Sequence, residues 1–172
     1  MIRKALLKLK TALALKKNDA IRVSDAYREA SKIGLLSTYD ETRPKEAIEE
    51  FIQKLEADQK LVSTMTFIPV AAKIPDPEYA FFNEKDLNSK GNWRKEEVGR
   101  FKEEPFDFLI SLDWNQNRYS QNILAGSRAK CRVGRYEEGK DQYFEMMINP
   151  NDDKYADFIQ QLYHYLTNVR NG

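Results

Sequence analysis

Two short polar segments hold the side chains of this chain that are best suited to chemistry. The first supplies a carboxylate, two amides and a guanidinium directly after an apolar run, namely Asp113, Asn115, Asn117 and Arg118. The second supplies a phenol and a carboxylate after an earlier apolar run, namely Tyr39 and Asp40. A carboxylate can act as a general base or bind a sugar hydroxyl or a phosphate-bound metal, and a guanidinium can hold a phosphate through two hydrogen bonds. These residue types suit a glycosyl or phosphorylated ligand.

Each of these side chains also has a structural interpretation. Asp113 could cap the helix that is predicted after it, and this use of the carboxylate is favoured. Arg118 could hold an anion, or it could pair with Asp113 or another acid on the surface. Asn-rich turns such as residues 115–117 occur for backbone reasons alone. The polar segments therefore supply candidate ligand-binding residues, and no catalytic or metal-binding residue is assigned.

Apolar strands alternate with amphipathic helices along the chain. Strands are predicted at residues 32–37, 61–70, 106–112, 130–133 and 143–148, with a weaker one at 79–82. Helices are predicted at residues 24–30, 44–55, 94–103 and 118–125, and a last one follows Pro150. This alternation predicts a single Rossmann-like, three-layer α/β domain with a mainly parallel sheet over residues 19–172, preceded by a helix at residues 1–18. Because ligands of such sheets bind beyond the carboxyl ends of the strands, the two polar segments are expected to share one rim.

Basic residues are concentrated in two stretches of a chain whose net charge is only +1. Residues 1–17 contain no acid and the following basic side chains: Arg3, Lys4, Lys8, Lys10, Lys16 and Lys17. Residues 114–136 also contain no acid, and their basic side chains are Arg118, Arg128, Lys130, Arg132 and Arg135. Such asymmetry can steer anionic partners, or it can be neutralised within the molecule.

The first basic stretch reads as a basic amphipathic helix. One apolar stripe is formed by Ile2, Ala5, Leu6, Leu9 and Leu13. The favoured interpretation is that this stripe docks on the domain; the alternatives are contact with a membrane surface, with RNA or with a partner protein. A signal peptide is not expected here, because lysines interrupt the apolar region that a signal requires.

Composition excludes several classes of protein. The chain has 172 residues, 41% of them hydrophobic, which suits one folded domain. Cys131 is the only cysteine and His164 the only histidine, so an internal disulfide and a multi-cysteine metal site are excluded. Neither a GxGxxG nor a Walker pattern occurs, and no cofactor is predicted. A cytoplasmic location is expected, with peripheral attachment to a membrane as the alternative.

The stretch FDFLISLDWNQNRYSQNILAGSRAKCRVGRY, residues 106–136, combines a strand that ends in an acid with a polar helix and a basic strand. Matching positions are Phe106, Asp107, Leu109, Ile110, Leu112, Asp113, Ser127, Ala129, Lys130, Val133 and Gly134. In these it resembles the N-terminal half of lipopolysaccharide heptosyltransferases, which implies an α/β fold and a glycosyl ligand. Those enzymes have a second domain, and this chain lacks their Gly-Asp turn after Leu36, so the resemblance supports the fold more than the activity.

A second resemblance spans nearly the whole chain. It rests on the segments Ile33-Gly34-Leu35, Phe106-Asp107-Phe108-Leu109-Ile110, Ser127-Arg128-Ala129-Lys130, Val133-Gly134 and His164-Tyr165-Leu166. In these the chain is similar to a family of uncharacterised bacterial proteins of similar length. That resemblance implies no particular activity.

Two hypotheses of function follow. The favoured one is a non-catalytic binding or adaptor protein whose basic segments contact an anionic partner, which would be RNA, a membrane surface or a protein. The alternative is a glycosyltransferase-like enzyme or its relic that binds a sugar or phosphorylated small molecule at the rim. The first is favoured because no nucleophile, metal set or phosphate loop is recognisable.

Overall fold

A six-stranded sheet forms the centre of the structure, a computed structural model that describes residues 2–72 and 80–170. The strands are β1 (Lys32–Thr38), β2 (Leu61–Phe67), β3 (Phe81–Phe82), β4 (Phe108–Ser111), β5 (Cys131–Arg135) and β6 (Met146–Ile148). All neighbouring strands are parallel, in the order β3-β2-β1-β4-β5-β6. This is the doubly wound arrangement, in which the strand order reverses between β1 and β4.

Helices cover both faces of the sheet. They are α1 (Ile2–Lys17), α2 (Lys45–Ala57), α3 (Glu96–Glu103), α4 (Arg118–Gly126) and α5 (Tyr155–Thr167). The core on one face joins the sheet to α1, α3 and α4, and the core on the other joins it to α2 and α5. These layers confirm the predicted Rossmann-like α/β fold with a helix at its N-terminus.

Strand β4 lies between these two cores. Phe108 and Ile110 pack towards α2 and α5, whereas Leu109 packs towards the opposite helices. All four residues of the strand are buried, as expected of a central parallel strand that reads as a continuous apolar run. Burial of each large apolar side chain here is worth about 1.5–3 kcal/mol.

Several predicted strands are longer than the strands of the structure. Strand β2 ends at Phe67 because Pro69 has no N–H to continue the ladder. Strand β6 begins only at Met146, since residues 141–143 form a 3-10 turn. The weak strand predicted at 79–82 is limited to β3, and its first residue, Tyr79, lies outside the described residues.

Helix α1 docks on α4 through a narrow face. Leu7 is fully buried, and Thr11, which is 6% exposed, accepts a hydrogen bond from the Asn122 side chain at 3.0 Å. At the end of the helix the side chain of Asn18 donates to the carbonyl oxygens of Ala125 and Ser127 at 2.9 and 2.8 Å. The two helices are therefore joined by hydrogen bonds as well as by apolar contacts.

The prediction that α1 docks through its apolar stripe is wrong. Ile2, Leu9 and Leu13 are 76%, 56% and 42% exposed. A different face is buried because Leu7 and Thr11, one turn apart, fit against the polar and small residues of α4, where Asn122 requires a polar partner. The helix is thus held to the domain while Ile2, Leu9 and Leu13 point outward, and Leu6 of the predicted stripe is half-buried beside Gly91.

Candidate functional site

The polar segments that follow β1 and β4 lie on the same rim of the sheet, as predicted. The two strands are direct neighbours, with Leu36 opposite Ser111. Beyond them the backbone N–H of Thr38 donates a hydrogen bond of 2.6 Å to the Asp113 carboxylate. The end of β1 is therefore hydrogen-bonded directly to the segment that follows β4.

Asp113 has no exposed surface and is surrounded by donors. Its carboxylate accepts hydrogen bonds from the Thr38 hydroxyl at 2.9 Å, the Ser120 hydroxyl at 2.8 Å and the Asn117 amide at 3.4 Å. Burial raises the pKa of Asp113, and the hydrogen bonds from Ser120 and Thr38 oppose that rise. The arrangement ties the β1 loop to the first turn of α4.

The cap of α4 is Asn117, so the favoured prediction that Asp113 caps this helix is wrong. The Asn117 side-chain oxygen accepts from the backbone N–H groups of Tyr119 and Ser120 at 2.9 and 3.0 Å. Because α4 begins at Arg118, the residue just before it occupies the capping position. Asn117 therefore has a sufficient structural role at the rim.

Asp40 and Tyr39 are also engaged with their own surroundings. The Asp40 carboxylate accepts from the Thr42 hydroxyl at 2.7 Å and pairs with Arg43 at 3.3 Å. The hydrogen bonds from Thr42 lower the pKa of Asp40 below its usual range. Tyr39 is half-buried, and its backbone N–H donates to the Phe67 carbonyl at 2.8 Å.

Arg43 is a rim residue that sequence reasoning missed. Its guanidinium lies 3.8 Å from the Asp113 carboxylate and 5.1 Å from the centre of the Tyr155 ring. The signal available in the sequence was its position three residues after Asp40, on the loop before α2. Of the predicted rim side chains, Asn115 and Arg118 are the exposed ones.

Arg118 belongs to a second site, a cleft of about 610 Å³ between α1, α4 and the turn at residues 141–143. The residues that line it are Lys8, Thr11, Ala12, Leu15, Lys16, Arg118, Gln121, Lys140, Gln142 and Tyr143. We call it the cationic cleft, because four of these side chains are basic and, within the described residues, none is acidic. It brings together residues from both basic stretches of the sequence.

The cations of the cationic cleft make no direct ion pair within the described part of the chain. Within residues 2–72 and 80–170, no ion pair or side-chain hydrogen bond engages Lys8, Lys16, Arg118 or Lys140. Amide and hydroxyl groups of Gln121, Gln142 and Thr11 lie beside them. Such a set of cations and hydrogen-bonding groups is suited to phosphate or carboxylate oxygens.

The other basic residues predicted on the N-terminal helix divide into two groups. Arg3 donates to the Leu87 carbonyl at 3.3 Å, and Lys10 bonds to the side chain of Asn92, so both help to dock α1. Lys4 and Lys17 are exposed and lie outside the cationic cleft. Only Lys8 and Lys16 of the helix line the cleft.

Most basic residues of the second stretch form contacts within the molecule. Its ion pairs are Arg128 with Asp19 at 3.0 Å, Lys130 with Asp25 at 2.7 Å and with Asp107 at 2.8 Å, and Arg132 with Glu145 at 2.6 Å. Arg135 instead stacks on Trp114, 4.1 Å from the centre of its ring. Arg118 is the member of this stretch that remains available to an anionic partner.

Lys140 was missed because its neighbours in the sequence are mostly acidic. It lies in the acidic run Glu137-Glu138-Gly139-Lys140-Asp141, where composition predicts a solvated negative loop. The connection between β5 and β6 brings this lysine to the cleft. Its role depends on topology, for which the local sequence holds no signal.

Two further features bear on the class of protein. In the described part of the chain, no group of three or more His, Cys, Asp or Glu side chains is placed to hold a metal ion. Among the helices of these same residues, none has the length and apolar character needed to cross a membrane.

The doubly wound sheet and the cationic cleft define a Rossmann-like α/β protein with a candidate anion-binding surface. The chain belongs to DUF6913, a family of unknown function whose model matches residues 3–169. No curated protein matches the chain.

Proposed function

We propose that this protein is a binding or adaptor protein that holds an anionic partner in its cationic cleft. The observation that carries the proposal is the convergence of Lys8, Lys16, Arg118 and Lys140 on one cleft without an acidic lining residue among those described. These four charges stand in a chain whose net charge is only +1. They are therefore a local feature of the surface.

Interactions with the helix dipoles do not explain why these cations cluster. Lys16 lies in the last turn of α1, where a basic side chain stabilises the helix dipole by about 0.3–1 kcal/mol. Arg118 opens α4, where that same dipole disfavours a cation and favours an anion. A bound anion would offset both the unfavourable position of Arg118 and the mutual repulsion of the four cations.

The alternative function, a sugar- or phosphate-binding enzyme site at the rim, ranks below this one. Asp113 is fully buried, and Asn117 is occupied as the cap of α4. A ligand at the rim would have to displace these contacts before it met either side chain. The cationic cleft requires no such rearrangement.

Binding of fluorescein-labelled oligouridylate, measured by fluorescence anisotropy, tests the proposal with a simple polyanion. The variant Lys8→Ala/Lys16→Ala removes two charges of the cleft, and Lys4→Ala/Lys17→Ala removes two charges from the same helix outside it. Each exposed contact between a lysine and a phosphate is expected to contribute about 0.5–1 kcal/mol, so the first variant should bind about 5- to 30-fold more weakly. The second should bind within about threefold of the unmodified protein.

Because the two variants have the same net charge and composition, any difference between them reports the position of the charges. Equal losses of affinity, or no binding by the unmodified protein at low salt, would contradict the proposal. Circular dichroism and urea denaturation of each variant check that α1 remains folded and docked.

A further inference from the structure

The outward face of α1 is apolar although the helix is firmly docked. Ile2, Leu9 and Leu13 are among the nine exposed large hydrophobic side chains of the described residues. Their spacings of seven and four residues place them on one face, roughly opposite the docked residues Leu7 and Thr11. A surface helix usually shows polar residues there, so this stripe is left without a covering partner in the chain as described.

Cations flank the stripe on both sides. On a wheel of 100° per residue, Lys16 lies about 20° from Leu9 on one side, and Lys17 lies about 40° from Leu13 on the other. The row formed by Lys8, Ala12 and Lys16 also lines the cationic cleft, which therefore opens beside the stripe. Helix α1 contains no acidic residue. A partner bound to this face would meet cations on both sides of an apolar contact.

We propose that α1 lies flat on a lipid bilayer that carries anionic headgroups. Ile2, Leu9 and Leu13 would enter the boundary between headgroups and acyl chains, the flanking lysines would contact headgroup phosphates and carboxylates, and the cleft would hold one or more of these groups. This inference rests on the proposed anion-binding function and names its partner. Helices that lie in the membrane interface combine burial of apolar side chains with attraction of basic side chains to anionic lipids.

The chemistry of the stripe favours a bilayer over RNA or an acidic protein. Single-stranded RNA binds through stacking of its bases on aromatic side chains, and α1 contains only aliphatic ones. Protein interfaces are enriched in aromatic residues and Met and depleted in Lys, whereas α1 contains neither aromatic residues nor Met and is rich in Lys. A bilayer with anionic lipids supplies both an apolar layer and a uniform negative surface.

Cosedimentation of the full chain with vesicles tests the inference. Vesicles of phosphatidylcholine mixed with an equal amount of phosphatidylserine are compared with vesicles of phosphatidylcholine alone. The unmodified protein should sediment with the first and stay in the supernatant with the second. Leu9→Ser/Leu13→Ser should lower the partition coefficient at least about tenfold, because it removes most of the apolar area available for insertion.

A matched control uses exposed apolar residues elsewhere on the surface. Leu61 and Val70 are 66% and 43% exposed and lie far along the chain from α1. Leu61→Ser/Val70→Ser should sediment like the unmodified protein. If both double variants sediment alike, the apolar stripe is not a membrane-binding face and the inference is wrong.

The oligouridylate assay separates the two proposals. If the unmodified protein binds oligouridylate and ignores the anionic vesicles, the membrane inference is wrong and the proposed anion-binding function stands. If it binds neither, both are wrong. If Leu9→Ser/Leu13→Ser loses oligouridylate binding but sediments normally, the stripe serves a nucleic acid and the membrane inference is again wrong.

Discussion

The Asp113 carboxylate is a candidate for chemistry in the sequence, but in the structure its oxygens are occupied by hydrogen bonds from neighbouring residues. Its position at the end of a central strand was predictable, because the apolar run that precedes it marks β4. Its partners were not, since Thr38 is far away in sequence and joins it only through the pairing of β1 with β4. Residue type and local spacing therefore predicted where this carboxylate lies and left open what it does.

Substitution of Asp113 tests that structural role. Asp113→Ala should lower the free energy of unfolding by about 2–4 kcal/mol, because it leaves the Thr38 N–H and the Ser120 hydroxyl without their acceptor. The exposed Asn115 provides a control on the same loop, and Asn115→Ala should change stability by less than about 0.5 kcal/mol. Urea denaturation measures both. A stable Asp113→Ala protein would show that the carboxylate is free for a ligand.

Asp107 should make the stability of the protein depend on pH. Its carboxylate accepts from Ser31 N–H at 2.7 Å, Lys32 N–H at 2.9 Å and the Lys130 ammonium at 2.8 Å. Burial would raise its pKa, but the hydrogen bonds from Lys130 and the backbone lower it below the usual range. The group is therefore charged in the folded protein at pH values where the unfolded chain begins to bind a proton.

The sign of the pH effect follows from this lowered pKa. The stabilisation is complete above the unfolded pKa of about 3.9 and is lost as the pH falls through the folded pKa. We expect Asp107→Asn to be less stable than the unmodified protein at pH 7 and the difference to shrink as the pH falls below about 4. Urea denaturation at several pH values measures it. A difference that grows on acidification would contradict this interpretation.

Helix α1 shows how periodicity can predict an element and still miss its orientation. The helix and its amphipathic character were predictable from the spacing of leucines and lysines. The docked face was not, because Thr11 is polar and its hydrogen bond with Asn122 joins residues that are far apart in sequence. The spacing of apolar residues cannot predict a polar contact of this kind.

Two leucines of α1 distinguish the observed orientation from the predicted one. Leu7→Ala should cost about 2–5 kcal/mol of unfolding free energy, because it leaves a cavity between α1 and α4. Leu9→Ala should change stability by less than about 0.5 kcal/mol, since Leu9 is exposed. Chemical denaturation of the two variants provides the comparison. The reverse order of effects would mean that the stripe is the docked face.

For the whole molecule, the α/β class and the parallel sheet were predictable because each strand and helix has its own local pattern. The functional surface was not, because Arg128, Lys130 and Arg132 of the second basic stretch are paired with acids from other parts of the chain. Lys140 comes from an acidic segment, yet it joins Lys8, Lys16 and Arg118 in the cleft. Net charge and composition are sums over the chain, and the cationic cleft depends on which charges the fold leaves unpaired.

The salt dependence of polyanion binding tests the cationic cleft most directly. The measurement is the slope of log K against log salt concentration for oligouridylate, with the unmodified protein and with Lys8→Ala/Lys16→Ala/Arg118→Ala/Lys140→Ala. If all four cations contact phosphates, the variant should have a slope smaller in magnitude by about three, since each contact with a single strand contributes about 0.7. An unchanged slope would show that the anion binds elsewhere and would contradict the proposed function.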